Sequence, residues 1–428
     1  MIKKIFVPRG THDILPSQTP LWENLEFKAR RILKCYGYQE IRTPIYEDVN
    51  LFKRSLGDTT DIVNKQLLEL KTSSDDEGLA LRPEGTAAVV RAYLENSLDK
   101  KEHLSKLFYL GPMFRGERPQ KGRLRQFHQL GVEAIGPMSA SPLLDAEVIS
   151  LAMHLLTAIG VKGPKLLINS LGSDDDKKQV SLWLREQFAK EREHLCPDCQ
   201  ARFERNVFRV LDCKNSGCKA VVNRILGENK SLPLSPESKE YFESVKNALT
   251  AMKIDFTVAP HLVRGLDYYT HTVFEITAQG LGSQDAVGAG GRYSGLVHQL
   301  GGDVKTVFGA IGFALGIERL LLASGQTEDC APSLDAFVIV MDKSYETHGF
   351  NLLSQLRLAG ISGDMSYNGA SMKSQLGRAN KLNARFALII GEEEYKNGTV
   401  AVKDMQAGTQ QAVKIGDVSQ LLSGFLRK

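Results

Sequence analysis

Two strand-like segments joined by a polar loop constrain the fold of this chain most strongly. Lys106 to Phe114 is largely apolar and aromatic, and Gln126 to Ile135 mixes polar with apolar residues at nearly alternate positions. Both patterns predict β-strands. The loop between them is too long for a tight hairpin turn. We therefore expect an antiparallel strand–loop–strand unit.

The loop between these strands concentrates positive charge. One anion, Glu117, stands there against five cations: Arg115, Arg118, Lys121, Arg123 and Arg125. The net charge of the whole chain is only +4, so the concentration is local. Guanidinium groups form bidentate pairs with phosphate oxygens, which makes the loop suitable for a polyphosphate or an RNA end. A solvated surface loop is the alternative for this stretch taken alone.

Length and composition indicate an ordinary globular protein of two or three domains. The chain has 428 residues, of which 42% are hydrophobic and 24% are charged. Six cysteines in a chain without a secretory signal indicate a reducing compartment, and we expect the cytoplasm. We find no apolar run long enough to span a bilayer, and we expect no membrane partner.

Periodicity predicts a helix from Pro20 to Tyr36 and another from Pro142 to Ile159, which Gly160 would end. Residues 173–259 are charged and helical in pattern, contain four of the six cysteines and predict an insertion in a strand-rich domain. Strand patterning returns at Leu262 to Ala278.

The last part of the chain has its own pattern. Phe308 to Ser324 predicts a strand that turns into a helix, and a linker is expected at residues 325–333. Beyond it, a strand at Asp335 to Met341, a helix around Gly349 to Ala359 and a strand at Phe386 to Ile390 predict a small α/β domain.

The chain lacks both common glycine-rich phosphate motifs. The nearest candidate, Gly288 to Gly291, is followed by Arg292 and Tyr293 where a helix should begin, and we reject it. Any nucleotide would then be bound through arginines and stacking. Arg264 and Arg319 lie among apolar residues, where cations are seldom found unless paired. They either bind a ligand or pair with nearby acids, for example Asp267 or Glu318.

Five stretches closely resemble histidyl-tRNA synthetases, which are class II aminoacyl-tRNA synthetases. They are LRPEGT at 81–86, MFRGERPQKGRLRQFHQLGVE at 113–133, LVRGLDYY at 262–269, GAGGRYSGLV at 288–297 and AIGFALGIERL at 310–320. Residues 113–133 resemble motif 2 of that class, and residues 312–319 resemble motif 3. Residues 42–44, RTP, resemble motif 1, which lies at the dimer interface of the family. The resemblance spans nearly the whole chain.

The resemblance implies an α+β catalytic domain with an antiparallel sheet at residues 1–325, interrupted by the helical insertion at 173–259. It also implies a C-terminal α/β anticodon-binding domain at 333–428 and a homodimer. The implied reaction joins L-histidine and ATP into histidyl-adenylate and then transfers the histidyl group to tRNA(His). A rival interpretation is a catalytically silent, histidine-sensing regulatory paralogue of histidine biosynthesis. Such paralogues typically lack the terminal domain and lose the motif arginines, both of which this sequence has.

The resemblance also assigns the ATP site. Arg115 would hold the α-phosphate and the histidine carboxylate, and Arg264 would assist catalysis from the other side of the α-phosphate. Arg123 and Arg319 would hold the β- and γ-phosphates together with Mg²⁺. Phe127 would stack on adenine, although a strand core residue is the alternative. Because the attacking carboxylate is already ionised at neutral pH, the first step requires positioned cations rather than a protein base.

Selection of histidine requires groups that read an imidazole, which has one donor and one acceptor nitrogen. Glu133 and Tyr269 would do so, with Tyr268 packed beside them. The ammonium group would be held by three further residues: Glu84, Thr86 and Gln129. For Glu84, an acid at a helix N-terminus is the alternative interpretation.

Two further sets of residues concern tRNA and metal. Arg118 and Gln120 are candidates for contact with the tRNA acceptor end, and the terminal domain should contact the anticodon. The spacing of four cysteines is compatible with zinc ligands in a ribbon-like insertion. They are Cys196, Cys199, Cys213 and Cys218. Free, reduced cysteines are the alternative.

Overall fold

The computed structural model describes residues 4–57, 60, 62–71, 78–120, 122–137, 139–227, 232–264, 266–281, 285–325, 334–367 and 369–426. The chain divides into two compact units, one from residues 1–13 and 24–326 and the other from 14–23 and 327–428. Lys121 and all but the first residue of the predicted linker lie outside the described residues. The domain limits given above stay a prediction.

An eight-stranded sheet forms the centre of the first unit in the described ranges, in the order β1-β5-β6-β11-β10-β9-β7-β8. A second sheet has the order β2-β4-β3. The strands are β1 Gln39–Glu40, β2 Tyr46–Asp48, β3 Leu68–Leu70, β4 Leu79–Leu81, β5 Ser105–Phe114, β6 Gln126–Pro137, β7 Lys165–Ser170, β8 Thr257–Val258, β9 Thr270–Thr277, β10 Ala286–Arg292 and β11 Phe308–Gly316. The two predicted strands are β5 and β6, and they pair antiparallel from Phe114 opposite Gln126 to Ser105 opposite Ile135.

The helices up to residue 325 flank this sheet or form the insertion. They are α1 Thr19–Cys35, α2 Val49–Leu56, α3 Thr86–Glu95, α4 Pro142–Ile159, α5 Asp174–Ala189, α6 Pro197–Arg205, α7 Phe208–Leu211, α8 Ser216–Leu226, α9 Pro236–Ala251, α10 Ser294–Gln299 and α11 Ile317–Ser324. The expected helix near residues 20–36 and the strand-to-helix transition after Phe308 are confirmed. Helices α5 to α9 make up most of the predicted insertion, whereas β8 pairs with β7 in the main sheet.

Helix α4 has the predicted limits because its ends carry local signals. Ser141 accepts a hydrogen bond from the backbone of Leu143, and Gly160 ends the helix with a φ of 90°. By length and composition alone this helix could cross a membrane, so the expectation that no run is long enough was wrong. Half of the segment is buried within the fold, as in the core helix of a soluble protein, so the signal is weak evidence for a membrane.

Of the predicted strand region from Leu262 to Ala278, the part from Thr270 to Thr277 is confirmed, and the part before Thr270 was wrong. Strand β9 begins only at Thr270, and the described residues 262–264 and 266–269 before it contain no strand. The reason is that a lysine side chain of the insertion, rather than a neighbouring strand, donates hydrogen bonds to two backbone carbonyls of this segment. Lys177 Nζ donates to the carbonyls of Asp267 (2.9 Å) and Tyr269 (2.8 Å), which holds the loop without a strand partner.

The second unit has a five-stranded sheet in the described residues, with the order β13-β12-β14-β15-β16. Its strands are β12 Ala336–Val340, β13 Gly363–Met365, β14 Phe386–Ile390, β15 Thr399–Asp404 and β16 Gln410–Lys414, and its helices are α12 Glu346–Leu358, α13 Met372–Lys381, α14 Glu392–Asn397 and α15 Val418–Leu426. Strand β12 pairs parallel with β13 and β14. The predicted α/β alternation is confirmed.

Candidate active site

A cavity of about 600 Å³ lies against one face of the eight-stranded sheet. Ten of the predicted site residues line it: Glu84, Thr86, Arg115, Arg123, Phe127, Gln129, Arg264, Tyr268, Tyr269 and Arg319. Arg115, Arg264 and Arg319, which are far apart in sequence, therefore meet in one place. The insertion contributes Arg209, Asp212 and Lys214 to the same lining, and the sequence analysis did not anticipate this.

The floor of the cavity consists of small residues on neighbouring strands. Gly312 of β11 lies opposite both Glu133 of β6 and Gly291 of β10. A Cβ atom at position 312 would lie 1.9 Å from Glu133 Oε2, so glycine leaves the room that the carboxylate occupies. Further along β11, Ala314 and Gly316 continue the same face. Small residues at alternate strand positions indicate a strand face that a ligand can approach closely, although no such prediction was made for β10 and β11.

Arg115 and Phe127 form one wall of the cavity. Arg115 Nε donates to the carbonyl of Pro83 (2.9 Å), and its guanidinium lies 5.1 Å from the centre of the Phe127 ring. This contact holds the cation over the aromatic face. Burial lowers the pKa of Arg115, while the charges of Glu117 and Glu84 act in the opposite direction. Phe127 is half-buried and packs against the core, so it lies both in the core and at the cavity.

Arg123 lies in the loop between β5 and β6, and Arg319 lies beside that loop. Arg319 donates from Nε to the carbonyl of Gly122 (3.0 Å) and from Nη1 to the carbonyl of Ala286. Arg123 is exposed and 3.5 Å from Glu117. Arg319 thus holds the loop through backbone acceptors and does not pair with Glu318.

Arg264 pairs with an acid, as one alternative proposed, but with neither of the acids suggested. Its Nη1 lies 2.5 Å from Glu275 Oε2 on β9. Asp267 instead accepts from Asn206 (2.8 Å), and Glu318 accepts from the backbone of His128 (2.9 Å). Glu275 lies opposite Ala289 on β10, which places its carboxylate on the cavity side of the sheet.

Glu133 lies beneath the cavity and is 1% exposed. Its carboxylate accepts hydrogen bonds from Thr86 Oγ1 (2.7 Å) and from the hydroxyl of Tyr293. Burial raises the pKa of Glu133 to about 8, and these two hydroxyls act against that shift. No role in the site was predicted for Tyr293, which comes directly after Arg292, the last residue of β10. Its ring packs on Tyr268 with centroids 5.7 Å apart.

Glu84 has the helix-capping role that was the alternative for it. Its carboxylate accepts from the backbone of Thr86 (2.7 Å) and Ala87 (2.9 Å) at the start of α3. Burial raises its pKa, and these backbone hydrogen bonds lower it. The side chain also lines the cavity. Nearby, Gln129 Oε1 is buried and accepts no hydrogen bond from the described residues.

Arg82 is a structural residue that the sequence analysis did not identify. It is 6% exposed and donates to the carbonyls of Pro112 (3.0 Å) and Thr43 (3.0 Å). It therefore connects the segment that resembles motif 1 to β5, and the last residues of β5 begin the segment that resembles motif 2.

The remaining candidates lie away from the cavity lining. Arg118 and Gln120 are exposed in the loop between β5 and β6, where backbone hydrogen bonds between Gln120 and Arg123 close a turn. The four cysteines of the insertion lie together. Their sulfur atoms are all within 4.8 Å of one another.

Comparison with known proteins gives consistent matches over the whole chain. The family model of histidyl-tRNA synthetase matches residues 10–320, and that of an anticodon binding domain matches residues 335–424. The histidine–tRNA ligase of Moorella thermoacetica is 47% identical over 414 residues, which are 96% of each chain. That of Geobacillus thermodenitrificans is 46% identical over 426 residues, 97% of each chain.

A solved structure is also similar. The apo histidyl-tRNA synthetase of S. aureus superimposes with a TM-score of 0.80 at 36% identity and covers 98% of this chain and 100% of its own. These matches confirm the predicted family and fold class, and they support the aminoacylation interpretation over the regulatory paralogue. The chain belongs to the histidyl-tRNA synthetase family of class II aminoacyl-tRNA synthetases.

Proposed function

We propose that this chain attaches L-histidine to tRNA(His) in two steps, by way of histidyl-adenylate. The observation that carries the proposal is the meeting of Arg115, Arg264 and Arg319 in one cavity next to the buried Glu133. Three guanidinium groups suit a bound triphosphate, and a buried acid held by hydroxyls suits a small polar side chain.

In the first step the carboxylate of histidine attacks the α-phosphorus of ATP, and pyrophosphate leaves. Arg115 holds the α-phosphate and the carboxylate, and Arg264 stabilises the negative charge that develops on the phosphorus centre. Arg123 and Arg319 hold the β- and γ-phosphates. Phe127 stacks on adenine. The ion pair with Glu275 keeps the Arg264 side chain aimed at the cavity before substrate binds.

Mg²⁺ would assist by neutralising phosphate charge. It prefers oxygen ligands, and the cavity lining supplies carboxylates from Glu275, Asp285 and Glu318 in the neighbourhood of the arginines. These three residues fit the ion by ligand type.

Histidine selection depends on the Glu133 region. Glu133 and Tyr269 read the imidazole, and Tyr268 packs beside them. The ammonium group is held by Glu84, Thr86 and Gln129. Gln129 Oε1, which accepts no hydrogen bond from the described part of the chain, is an acceptor available to an ammonium donor. Analogues without ring nitrogens would leave buried polar groups unpaired, which penalises them strongly.

The second step transfers the histidyl group from the adenylate to a hydroxyl of the terminal ribose of tRNA(His), and AMP leaves. Arg118 and Gln120 are exposed on the loop between β5 and β6, where they can reach an acceptor end. The C-terminal domain, from residue 333, contacts the anticodon, and the catalytic domain covers residues 1–325 with its insertion at 173–259.

The proposal includes a cytoplasmic homodimer that has no membrane partner. Ile45 and Tyr46, next to the segment that resembles motif 1, are 46% and 53% exposed. Large apolar residues exposed at that place fit an interface between two copies.

A direct test is histidine-dependent exchange of pyrophosphate into ATP, followed by charging of a transcribed tRNA(His). We expect exchange with histidine and with no other amino acid, and charging of that tRNA alone. Absence of exchange in folded protein supplied with Mg²⁺ would refute the proposed reaction. Exchange without charging would refute the second step only.

A further inference from the structure

The insertion places four cysteine sulfurs around a common centre. All four lie within 4.8 Å of one another, and the sulfurs of Cys196 and Cys213 are 3.9 Å apart. Zinc–sulfur bonds of about 2.3 Å in a tetrahedron give sulfur–sulfur edges of about 3.8 Å. The Cys196–Cys213 distance matches this edge, and no other sulfur–sulfur distance exceeds it by more than about 1 Å.

The secondary structure explains how the sulfurs come together. Cys196 is the N-cap of α6 and Cys199 lies in its first turn, so the two sulfurs share one end of the helix. Cys218 lies in the first turn of α8, and Cys213 comes from the segment before that helix. Helix N-termini favour negative charge and stabilise thiolates. In addition, the backbone N–H of Cys196 donates to Cys218 Sγ at 3.2 Å.

Ordinary core packing is the alternative for buried cysteines. Cys199 and Cys218 are fully buried and Cys213 is 8% exposed, so burial alone would fit either interpretation. Core packing, however, gives no reason for four sulfurs from three separate segments to be mutual neighbours. Thiolate-only ligand sets select zinc or iron over magnesium and calcium.

We propose that Cys196, Cys199, Cys213 and Cys218 bind one structural Zn²⁺ in the insertion. A closed set of four protein ligands leaves no position for water, so the ion would stabilise the fold and take no part in the reaction. It would crosslink the start of α6, the segment after α7 and the start of α8.

This crosslink would also support the cavity. Cys213 lies between Asp212 and Lys214, which both line the cavity. At the other end of α6, Asn206 donates to Asp267 in the loop that carries Arg264. Loss of the metal should therefore loosen two segments next to the substrates. The expectation that these segments lie next to bound substrates depends on the proposed function, whereas the proposed metal binding does not.

The first test is metal analysis of the full-length protein, purified without chelators, by inductively coupled plasma mass spectrometry. We expect one zinc per chain in the wild type and in Cys35→Ser, which removes an exposed cysteine outside the cluster. Cys199→Ser and Cys218→Ser should lose most of the zinc. Zinc that persists unchanged in both variants, or iron in its place, would overturn the assignment.

A second test does not depend on variants that fold poorly. The wild-type protein is stripped of metal and loaded with Co²⁺, which reports its ligands by absorption. We expect the sulfur-to-cobalt charge-transfer band and the intense visible bands of a tetrahedral thiolate site, and added Zn²⁺ should abolish them. Folded wild-type protein that shows neither a bound metal nor these absorption bands would refute the proposal, whatever its activity.

Discussion

Two groups of buried charge in the first unit differ in how completely their hydrogen bonds are satisfied. The Arg292–Asp145 pair joins β10 to α4, with exposures of 1% and 0%. Asp145 accepts from Arg292 Nε (3.0 Å), from Thr272 Oγ1 (2.7 Å) and from the Tyr241 hydroxyl (3.1 Å). Its carboxylate is thus surrounded by donors from the protein, and the pair is closed to any ligand.

The cavity arginines keep part of their donors available. Within the described residues, Arg115 donates only its Nε–H to another protein group, and Arg264 donates only from Nη1. Arg264 Nε is buried and makes no hydrogen bond there. An arginine near this sheet therefore stabilises the fold when protein acceptors bind its N–H groups. It can bind a phosphate when some of those N–H groups have no protein acceptor.

Breaking the closed pair should give the largest loss of stability. Arg292→Met would leave Asp145 as a buried charge without a cation, and we expect a loss of about 3–5 kcal/mol in the free energy of unfolding. Urea denaturation followed by circular dichroism measures it. The double variant Arg292→Met with Asp145→Leu removes both charges and should recover much of the loss. A single variant within 1 kcal/mol of wild type would contradict the structural role.

Removing an open arginine should act on the reaction instead. Arg264→Ala should lower histidine-dependent pyrophosphate exchange by about 10²–10³-fold, because a donor aimed at developing phosphate charge is lost. Its unfolding free energy should change by less than about 1 kcal/mol, since the pair with Glu275 is partly exposed. Exchange at the wild-type rate would refute the catalytic role of Arg264.

Glu133 differs from Asp145 because its buried carboxylate is bound by hydroxyls, and no cation of the described residues forms an ion pair with it. Its folded pKa of about 8 exceeds the ordinary value of 4.5. The protonated carboxyl of Glu133 therefore makes its full contribution to the free energy of unfolding below pH 4.5. This contribution is lost as the pH rises from there through about 8. Across that window the wild type should lose stability by up to about 1.4 kcal/mol per pH unit relative to Glu133→Gln.

Denaturant titrations of the two proteins at several pH values between 5 and 8 measure this difference. Because the glutamine variant keeps the size of the side chain but cannot ionise, titrating groups that do not interact with Glu133 cancel in the comparison. Parallel pH profiles would show that Glu133 has no raised pKa in the folded protein.

The smallest effect is expected at an exposed ion pair. Arg30 lies 2.6 Å from Glu40, a distance much like that of the Arg264–Glu275 pair, but its side chain is 35% exposed and does not line the cavity. Arg30→Ala should cost about 0.2–1 kcal/mol and leave pyrophosphate exchange unchanged. It serves as the matched control for Arg264→Ala. A large loss of exchange in Arg30→Ala would mean that the loss in Arg264→Ala cannot be attributed to the position of Arg264 at the cavity.

Local patterns in the sequence predicted much of the fold. Apolar periodicity and end signals located α4 and its end at Gly160, and β14 was predicted at Phe386–Ile390. These features depend on residues within a few positions of one another, so they can be read from the chain directly. The motif stretches also indicated the family, which the comparisons confirmed.

The partners of the charged residues depend instead on the tertiary structure. Glu133 meets Tyr293 across 160 positions, and the loop from Leu262 is held out of the sheet by Lys177 of the insertion. Arg264 is only eleven positions from Glu275, yet the nearer Asp267 is taken by Asn206. The sequence alone showed which charged groups are present and, apart from the segment that begins at Leu262, which strands and helices carry most of them. Only the folded chain decided which of those groups neutralise one another and which remain open to substrate, because a hydrogen bond depends on distances in space that periodicity along the chain does not specify.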